Sequence, residues 1–187
     1  MKKYIYIFTI ISVILYGCFN NPNKNTVKSN EDLSKLAAQR YKIFAENDSA
    51  VLIGKNIRDV NKIIRIDTLK GRNNPNKVLI FYFSNYDCSV CIKRGLELIE
   101  ILDQKNYDIS IFVIFSDGSI GNIRSRYDYK GYLYEDVDFL MNDLLNYTIS
   151  PIFLSIDSSF YIIETYHPRI DYDTNDSIFY KFIDGLF

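Results

Sequence analysis

The stretch Val78-Leu79-Ile80-Phe81-Tyr82-Phe83-Ser84-Asn85-Tyr86-Asp87-Cys88-Ser89-Val90-Cys91 decides how this chain folds. The apolar run Val78–Phe83 reads as a buried strand. Two cysteines with two residues between them then open a helical pattern that runs to about Gln104, with Val90, Ile92, Leu96, Ile99 and Leu102 as its apolar stripe. A cysteine at a helix start meets unpaired backbone N–H groups and the positive end of the helix. Both stabilise a thiolate, the species that attacks disulfides.

Working outward, Ile109–Phe115 reads as a second apolar strand, short and rich in β-branched residues. Ser116–Tyr132 is polar and punctuated by glycine, and reads as a long loop or irregular segment. Asp136–Asn146 reads as a helix with Val137, Leu140, Met141, Leu144 and Leu145 inward. Ile152–Ile156 and Phe160–Tyr166 flank the turn Asp157-Ser158-Ser159 as a hairpin, and Ser177–Leu186 reads as a terminal helix. Upstream, Leu33, Leu36, Ala37, Tyr41 and Phe44 fall at helical spacing and predict a helix over about 31–46, with Ser29 or Asn30 as its cap. Val51–Gly54 and Lys62–Ile66 look like short strands, and Lys70–Lys77 like a turn region. A crossover helix makes the first two sheet strands parallel, and a hairpin makes the last two antiparallel. The class is α/β, a central mixed sheet flanked by helices, with an N-terminal helix and extension. No internal repeat is visible.

Composition narrows the function. Of 187 residues, 22 are basic and 23 acidic, for a net charge of −1. No basic excess attracts a phosphate backbone, so nucleic acid is not an expected partner. The 16 Tyr and 13 Phe, with no Trp, accompany abundant Ile, Asn and Lys and read as background composition rather than as a binding signal.

The N-terminus has its own logic. Lys2 and Lys3 precede an apolar stretch, Tyr4–Tyr16, that suits a signal-peptide core and is too short to span a bilayer comfortably. The string Leu15-Tyr16-Gly17-Cys18 resembles a bacterial lipobox, with Tyr16 the one unusual residue. The resemblance implies cleavage before Cys18 and lipidation of that cysteine, palmitate included. Residues 1–17 are then a lipoprotein signal peptide, the Asn-rich 18–30 a flexible tether, and 31–187 the domain. The expected location is a bacterial cell membrane, with the domain held by lipid in the periplasm or outside the cell. An ordinary secretory peptide or a poor membrane anchor is the alternative. The chain has three cysteines. Lipid on Cys18 leaves only Cys88 and Cys91, in a compartment where disulfides persist.

Strand, Cys-x-x-Cys and helix, then Ser150-Pro151 before an apolar strand, resemble a thioredoxin-like protein of the TlpA type. The segment Ile149–Asp157 is similar to the one in which that family sets a cis-proline beside its active site. Leu52-Ile53-Gly54-Lys55 resembles the family's opening motif. The chain is also similar to a group of Bacteroidetes lipoproteins with a thioredoxin-like domain. The resemblance covers roughly 50–187. It implies a thioredoxin-like fold, Cys88 as attacking thiolate, Cys91 as resolving thiol, and a cis Ser150–Pro151 that binds an extended substrate strand. Two departures stand out. Asp87 replaces the family's usual Trp, and Ser89-Val90 lacks the Pro common between the cysteines. A carboxylate beside Cys88 opposes its thiolate by like-charge repulsion, and Lys93 and Arg94 oppose that effect in turn.

The expected function is a membrane-anchored thiol-disulfide oxidoreductase that acts on the thiols or disulfides of exported proteins. It needs a redox partner to reset the pair and no dissociable cofactor. The alternative is a non-catalytic thioredoxin-fold lipoprotein that binds an envelope partner, with Cys88–Cys91 a structural disulfide. Zinc lacks ligands, because His167 is the one histidine. Attachment of c-type haem needs His after the second cysteine, where Ile92 stands. A peroxiredoxin would carry Pro and Thr or Ser shortly before its cysteine, and the run 77–87 has no Pro. His167 itself reads as a surface loop residue, the Asp-rich 134–138 as helix-start carboxylates, and the Tyr127, Tyr129, Tyr132, Tyr134 cluster as packing.

Overall fold

A computed structural model describes residues 30–64, 78–105, 109–145, 148, 150–168 and 172–185. The chain divides into two compact units, Met1–Tyr41 and Lys42–Phe187. The first is described only for 30–41, the start of helix α1 (Asn30–Leu52). In the second, α1 ends and a short 3-10 turn (Arg58–Val60) leads into α2 (Asn61–Ile64). There follow β1 (Val78–Ser84), α3 (Ser89–Gln104), β2 (Ser110–Ser116), α4 (Ile120–Tyr127), β3 (Leu133–Glu135), α5 (Leu140–Leu145), β4 (Ile152–Ile156), β5 (Ile162–Tyr166) and α6 (Tyr172–Asp184). No helix among the described residues is long and apolar enough to cross a membrane.

Among the described residues five strands form one sheet in the order β3-β2-β1-β4-β5. β1 is parallel to β2 with Phe81 opposite Val113, and antiparallel to β4 with Phe81 opposite Phe153. β2 and β3 are parallel, β4 and β5 antiparallel. The continuous apolar run of β1 has a structural cause: the strand is central and covered on both faces. Leu79, Phe81 and Phe83 point into one core with Ile92, Leu96, Ile99 and Leu102 of α3 and Phe179 and Phe182 of α6. Val78, Ile80 and Tyr82 point into the other, with Leu52, Ile57, Val60, Met141 and Leu145. Gly95 lets α3 lie directly on β1, because a Cβ there would overlap the Phe81 ring.

Several segments differ from the sequence reading. Val51–Leu52 is the last turn of α1, not a strand, and the chain leaves it at Gly54 with φ +85°. The inward face of this turn is mixed: Leu52 is buried, and Ser49 Oγ meets Thr165 Oγ1 at 2.5 Å. A period search on apolar residues therefore misses the helix. Strand-like pairing begins just after, where Gly54 N–H donates to Ile162 O and Ile162 N–H to Lys55 O. Lys62–Ile64 is helical rather than extended. Residues 65–77, with the expected turn at Lys70–Lys77, lie outside the described residues.

Ser116–Tyr132 contains α4 instead of an uninterrupted loop. Ser119 caps it, accepting from Asn122 N–H at 3.4 Å, and Asp128 closes it in the left-handed region. Only Ile123 of this helix is buried, so no apolar stripe advertises it. Leu133–Glu135 is a strand, and the helix expected from Asp136 starts at Leu140. Asp136 is its cap, accepting from Leu140 N–H at 2.9 Å and Met141 N–H at 2.8 Å. Val137, expected inward, is exposed. Of the tyrosine cluster, Tyr129 is buried, Tyr134 packs on Phe112 and Tyr132 is exposed. His167 is not a surface loop residue. It is buried, with Nε2 3.8 Å from Asp48 Oδ2, because the end of α1 covers the end of β5.

Candidate functional site

The parallel strands β1 and β2 deliver their following loops to one end of the sheet, where α/β proteins place their ligands. The β1–α3 loop carries Cys88, which is the N-cap of α3: its Sγ accepts from Cys91 N–H at 3.4 Å, and its carbonyl accepts from Ile92 N–H at 2.9 Å. Cys88 is exposed and Cys91 buried, and both are free thiols. The helical turn explains the difference. A cap residue faces the loop surface, whereas the residue three positions on turns toward the core. Burial pushes the Cys91 thiol up to about 12, and the neighbouring Cys88 and Asp87 push the same way.

Asp87 behaves differently from a simple repulsive neighbour. Its carboxylate turns back, accepting from Ser84 N–H at 2.7 Å and from the Ser150 side chain. Burial raises its pKa, the Ser150 and Ser84 bonds lower it, and Asp117 raises it again. The carboxylate therefore ties the β1–α3 loop to the segment that enters β4. That segment holds Ser150 and the buried Pro151, joined by a cis peptide bond. Pro151 precedes Ile152, which pairs with Tyr82 of β1. Cys88, Cys91, Ser150 and Pro151 are thus gathered at one end of the sheet.

Around them runs a polar network that sequence reasoning missed. Ser84 Oγ and Ser116 Oγ donate to Asp117 Oδ2 at 2.8 and 3.0 Å, and the Tyr82 hydroxyl donates to Asn142 Oδ1 at 2.8 Å. Asp117 has φ 60°, unusual for a residue with a side chain. Serines ending two adjacent apolar strands are a signal visible in the sequence, but only the parallel register sets Ser84 beside Ser116. Arg126 at the end of α4 reaches the same loop, with Nη1 donating to Asn85 Oδ1 at 3.3 Å. Cys18 lies outside the described residues. Among the described residues, no group of three or more His, Cys, Asp or Glu is arranged to hold a metal.

The strand order, with β1 and β2 joined through a crossover helix and β4–β5 an antiparallel hairpin, together with a Cys-x-x-Cys at the start of α3, defines a thioredoxin-like fold. No protein-family model and no curated protein matches the chain. Among solved structures it is similar to an exposed lipoprotein thioredoxin from Streptococcus pneumoniae, at 17% identity and TM-score 0.44, over 59% of this chain and 85% of that one. A secreted disulfide oxidoreductase from Mycobacterium tuberculosis is similar at 12% identity and TM-score 0.43, over 56% and 78%. A peroxiredoxin Q from Xanthomonas campestris is similar at 11% identity and TM-score 0.44, over 59% and 80%. Likeness at this level assigns no activity to the present chain.

Proposed function

We propose that the protein is a lipid-anchored thiol-disulfide oxidoreductase that exchanges disulfides with exported proteins. The observation that carries this reading is the asymmetric cysteine pair: an exposed Cys88 at a helix cap above a buried Cys91. The Cys88 thiolate attacks one sulfur of a substrate disulfide. The S–S bond breaks, one substrate thiolate leaves, and a mixed disulfide forms. Cys91 then loses its proton and attacks Cys88 Sγ. The second substrate thiolate leaves, and the protein keeps the Cys88–Cys91 disulfide. Two electrons pass to the substrate, and a separate dithiol partner returns them to the pair. The reverse sequence oxidises a dithiol substrate.

The raised Cys91 thiol supports an ordered reaction. While Cys88 carries charge, that charge adds to the burial of Cys91 in keeping its proton on. Once Cys88 is bonded to substrate sulfur the charge is gone, and deprotonation of Cys91 becomes easier. Backbone at Ser150 and Pro151 would pair with an extended substrate strand. Cys18, lipidated, would hold the domain to a bacterial membrane on its periplasmic or outer side.

The test is the reduction potential of the Cys88–Cys91 couple. A value above about −300 mV, with Cys88 alkylated before Cys91 after reduction, supports exchange chemistry. A lower value, with neither thiol labelled short of denaturation, leaves the disulfide structural and the protein a binding module.

A further inference from the structure

At the end of the sheet that holds the cysteines, β1 outruns β4. Its pairing with β4 stops at Tyr82 opposite Ile152, whereas its pairing with β2 continues to Ser84 opposite Ser116. Pro151 has no N–H with which to extend the β4 ladder. Carried two residues further, the antiparallel register sets Ser84 opposite Ser150. The fork between the two strands therefore opens between these two half-buried serines.

Asp87 fills that fork. Asn85 N–H donates to Ser116 O, on the β2 side. Neighbouring N–H groups of a strand point opposite ways, so Ser84 N–H points toward β4. There it meets Asp87 Oδ2 at 2.7 Å instead of a β4 carbonyl. Asp87 N–H donates back to Ser84 O at 3.0 Å, so this residue is pinned to β1 through backbone and side chain together. The same carboxylate accepts from the Ser150 side chain. An ionised carboxylate is an acceptor at both oxygens, so one side chain serves both serines.

The residue after Asp87 is Cys88, the cap of α3. The residue after Ser150 is Pro151, and the backbone of that pair would receive a substrate strand. The attacking sulfur and the receiving backbone are thus joined by a short path, Cys88 to Asp87 to Ser150, that crosses a single hydrogen bond. Disulfide exchange needs three sulfurs in line, and a displacement of about 1 Å in such an arrangement can cost a hundredfold in rate.

We propose that Asp87 is a positioning residue for polypeptide substrates: its carboxylate, set in the fork between β1 and β4, holds the Ser150–Pro151 backbone in place relative to Cys88, so that a bound strand presents its disulfide to the sulfur. The proposal rests on the redox reading above. It also gives a use to a carboxylate that repels the neighbouring thiolate.

The test compares two disulfides with the same aromatic thiol as leaving group, one on the cysteine of an extended peptide and one on N-acetylcysteine. Each is mixed with reduced full-length protein extracted in detergent, and release of the aromatic thiol gives a second-order rate. The readout is the peptide rate divided by the small-molecule rate. Division removes any change in the reactivity of Cys88 itself, including the loss of the neighbouring charge. A variant that merely unfolds part of the protein lowers both rates alike and leaves the ratio unmoved. The ratio should fall about tenfold in Asp87→Ala and in Ser150→Ala. Asp87→Asn should stay within about twofold of wild type, because Oδ1 accepts from Ser84 N–H and Nδ2 donates to Ser150 Oγ. Asp87→Ala combined with Ser150→Ala should be no worse than the poorer single variant, since both remove one contact. Should Asp87→Ala fail to fold, Ser150→Ala decides alone, because it keeps Ser84 N–H satisfied.

A wild-type ratio in Ser150→Ala would overturn the proposal while leaving the redox reading in place. So would an Asn variant as poor as the Ala variant, or losses that multiply in the double variant. Exchange with the small disulfide alone overturns it too, because there is then no strand to position. If the wild type exchanges with neither disulfide, the redox reading fails and the positioning role falls with it.

Discussion

Asp87 is the residue whose replacement separates charge from hydrogen bonding at this site. Its carboxylate accepts from Ser84 N–H at 2.7 Å and from Ser150, and burial raises its pKa. Asp87→Asn keeps an acceptor for Ser84 N–H and removes the charge. Asp87→Ala removes the charge and orphans that N–H. An unsatisfied buried donor costs about 1–3 kcal/mol, and the half-buried Ser84 belongs near the lower end. The Asn variant should therefore be more stable than the Ala variant by about 1 kcal/mol at neutral pH. The acid titration gives the second comparison. A carboxyl with a raised folded pKa is neutral in the fold at a pH where it has already ionised in the unfolded chain. Its ionisation thus works against folding, starting near 3.8 and complete above the raised value. As pH rises through that window, wild type should lose stability relative to Asp87→Asn, and at still lower pH the difference should level off. Urea denaturation at a series of pH values measures both. An Ala variant as stable as the Asn variant would show that the Ser84 bond contributes nothing. A wild type that gained on the Asn variant with rising pH would refute the burial argument.

Gly95→Ala should destabilise the domain by about 1–2 kcal/mol, because the new Cβ meets the Phe81 ring and overpacking outweighs the gain of about 1 kcal/mol in helix propensity. Pairing it with Phe81→Leu should recover part of the loss in the same denaturation assay. A Cys91→Ser variant should accumulate mixed disulfides through Cys88, visible on non-reducing gels, while Cys88→Ser should form none. Asp136→Ala strips the cap from α5 and should cost about 1–2 kcal/mol by thermal or chemical unfolding. Cys18→Ser should abolish membrane attachment in cell fractionation while the near-UV spectrum of the domain is unchanged.

By itself the sequence determined the elements whose apolar residues follow the period of the element. β1, α3, β2 and the β4–β5 hairpin are legible because Val78–Phe83, Ile109–Phe115 and the stripe Ile92–Leu102 follow the period of their own elements. The Cys-x-x-Cys falls at a helix start for the same local reason, and the exposed Cys88 and buried Cys91 follow from helical geometry. What only the tertiary structure decided are the elements whose inward faces are polar or nearly absent. The end of α1 turns Asp48 and Ser49 toward β5 and buries Leu52 alone over residues 42–52, and α4 buries Ile123 alone, so neither carries an apolar period. The short β3 exists because β2 offers an edge to Leu133–Glu135. The site divides in the same way. The thiols can be read in one dimension. The ties of Asp87 to Ser84 and Ser150, of Ser116 to Asp117, and of Arg126 to Asn85 join segments separated along the chain. No local pattern encodes a contact that depends on which strands lie side by side.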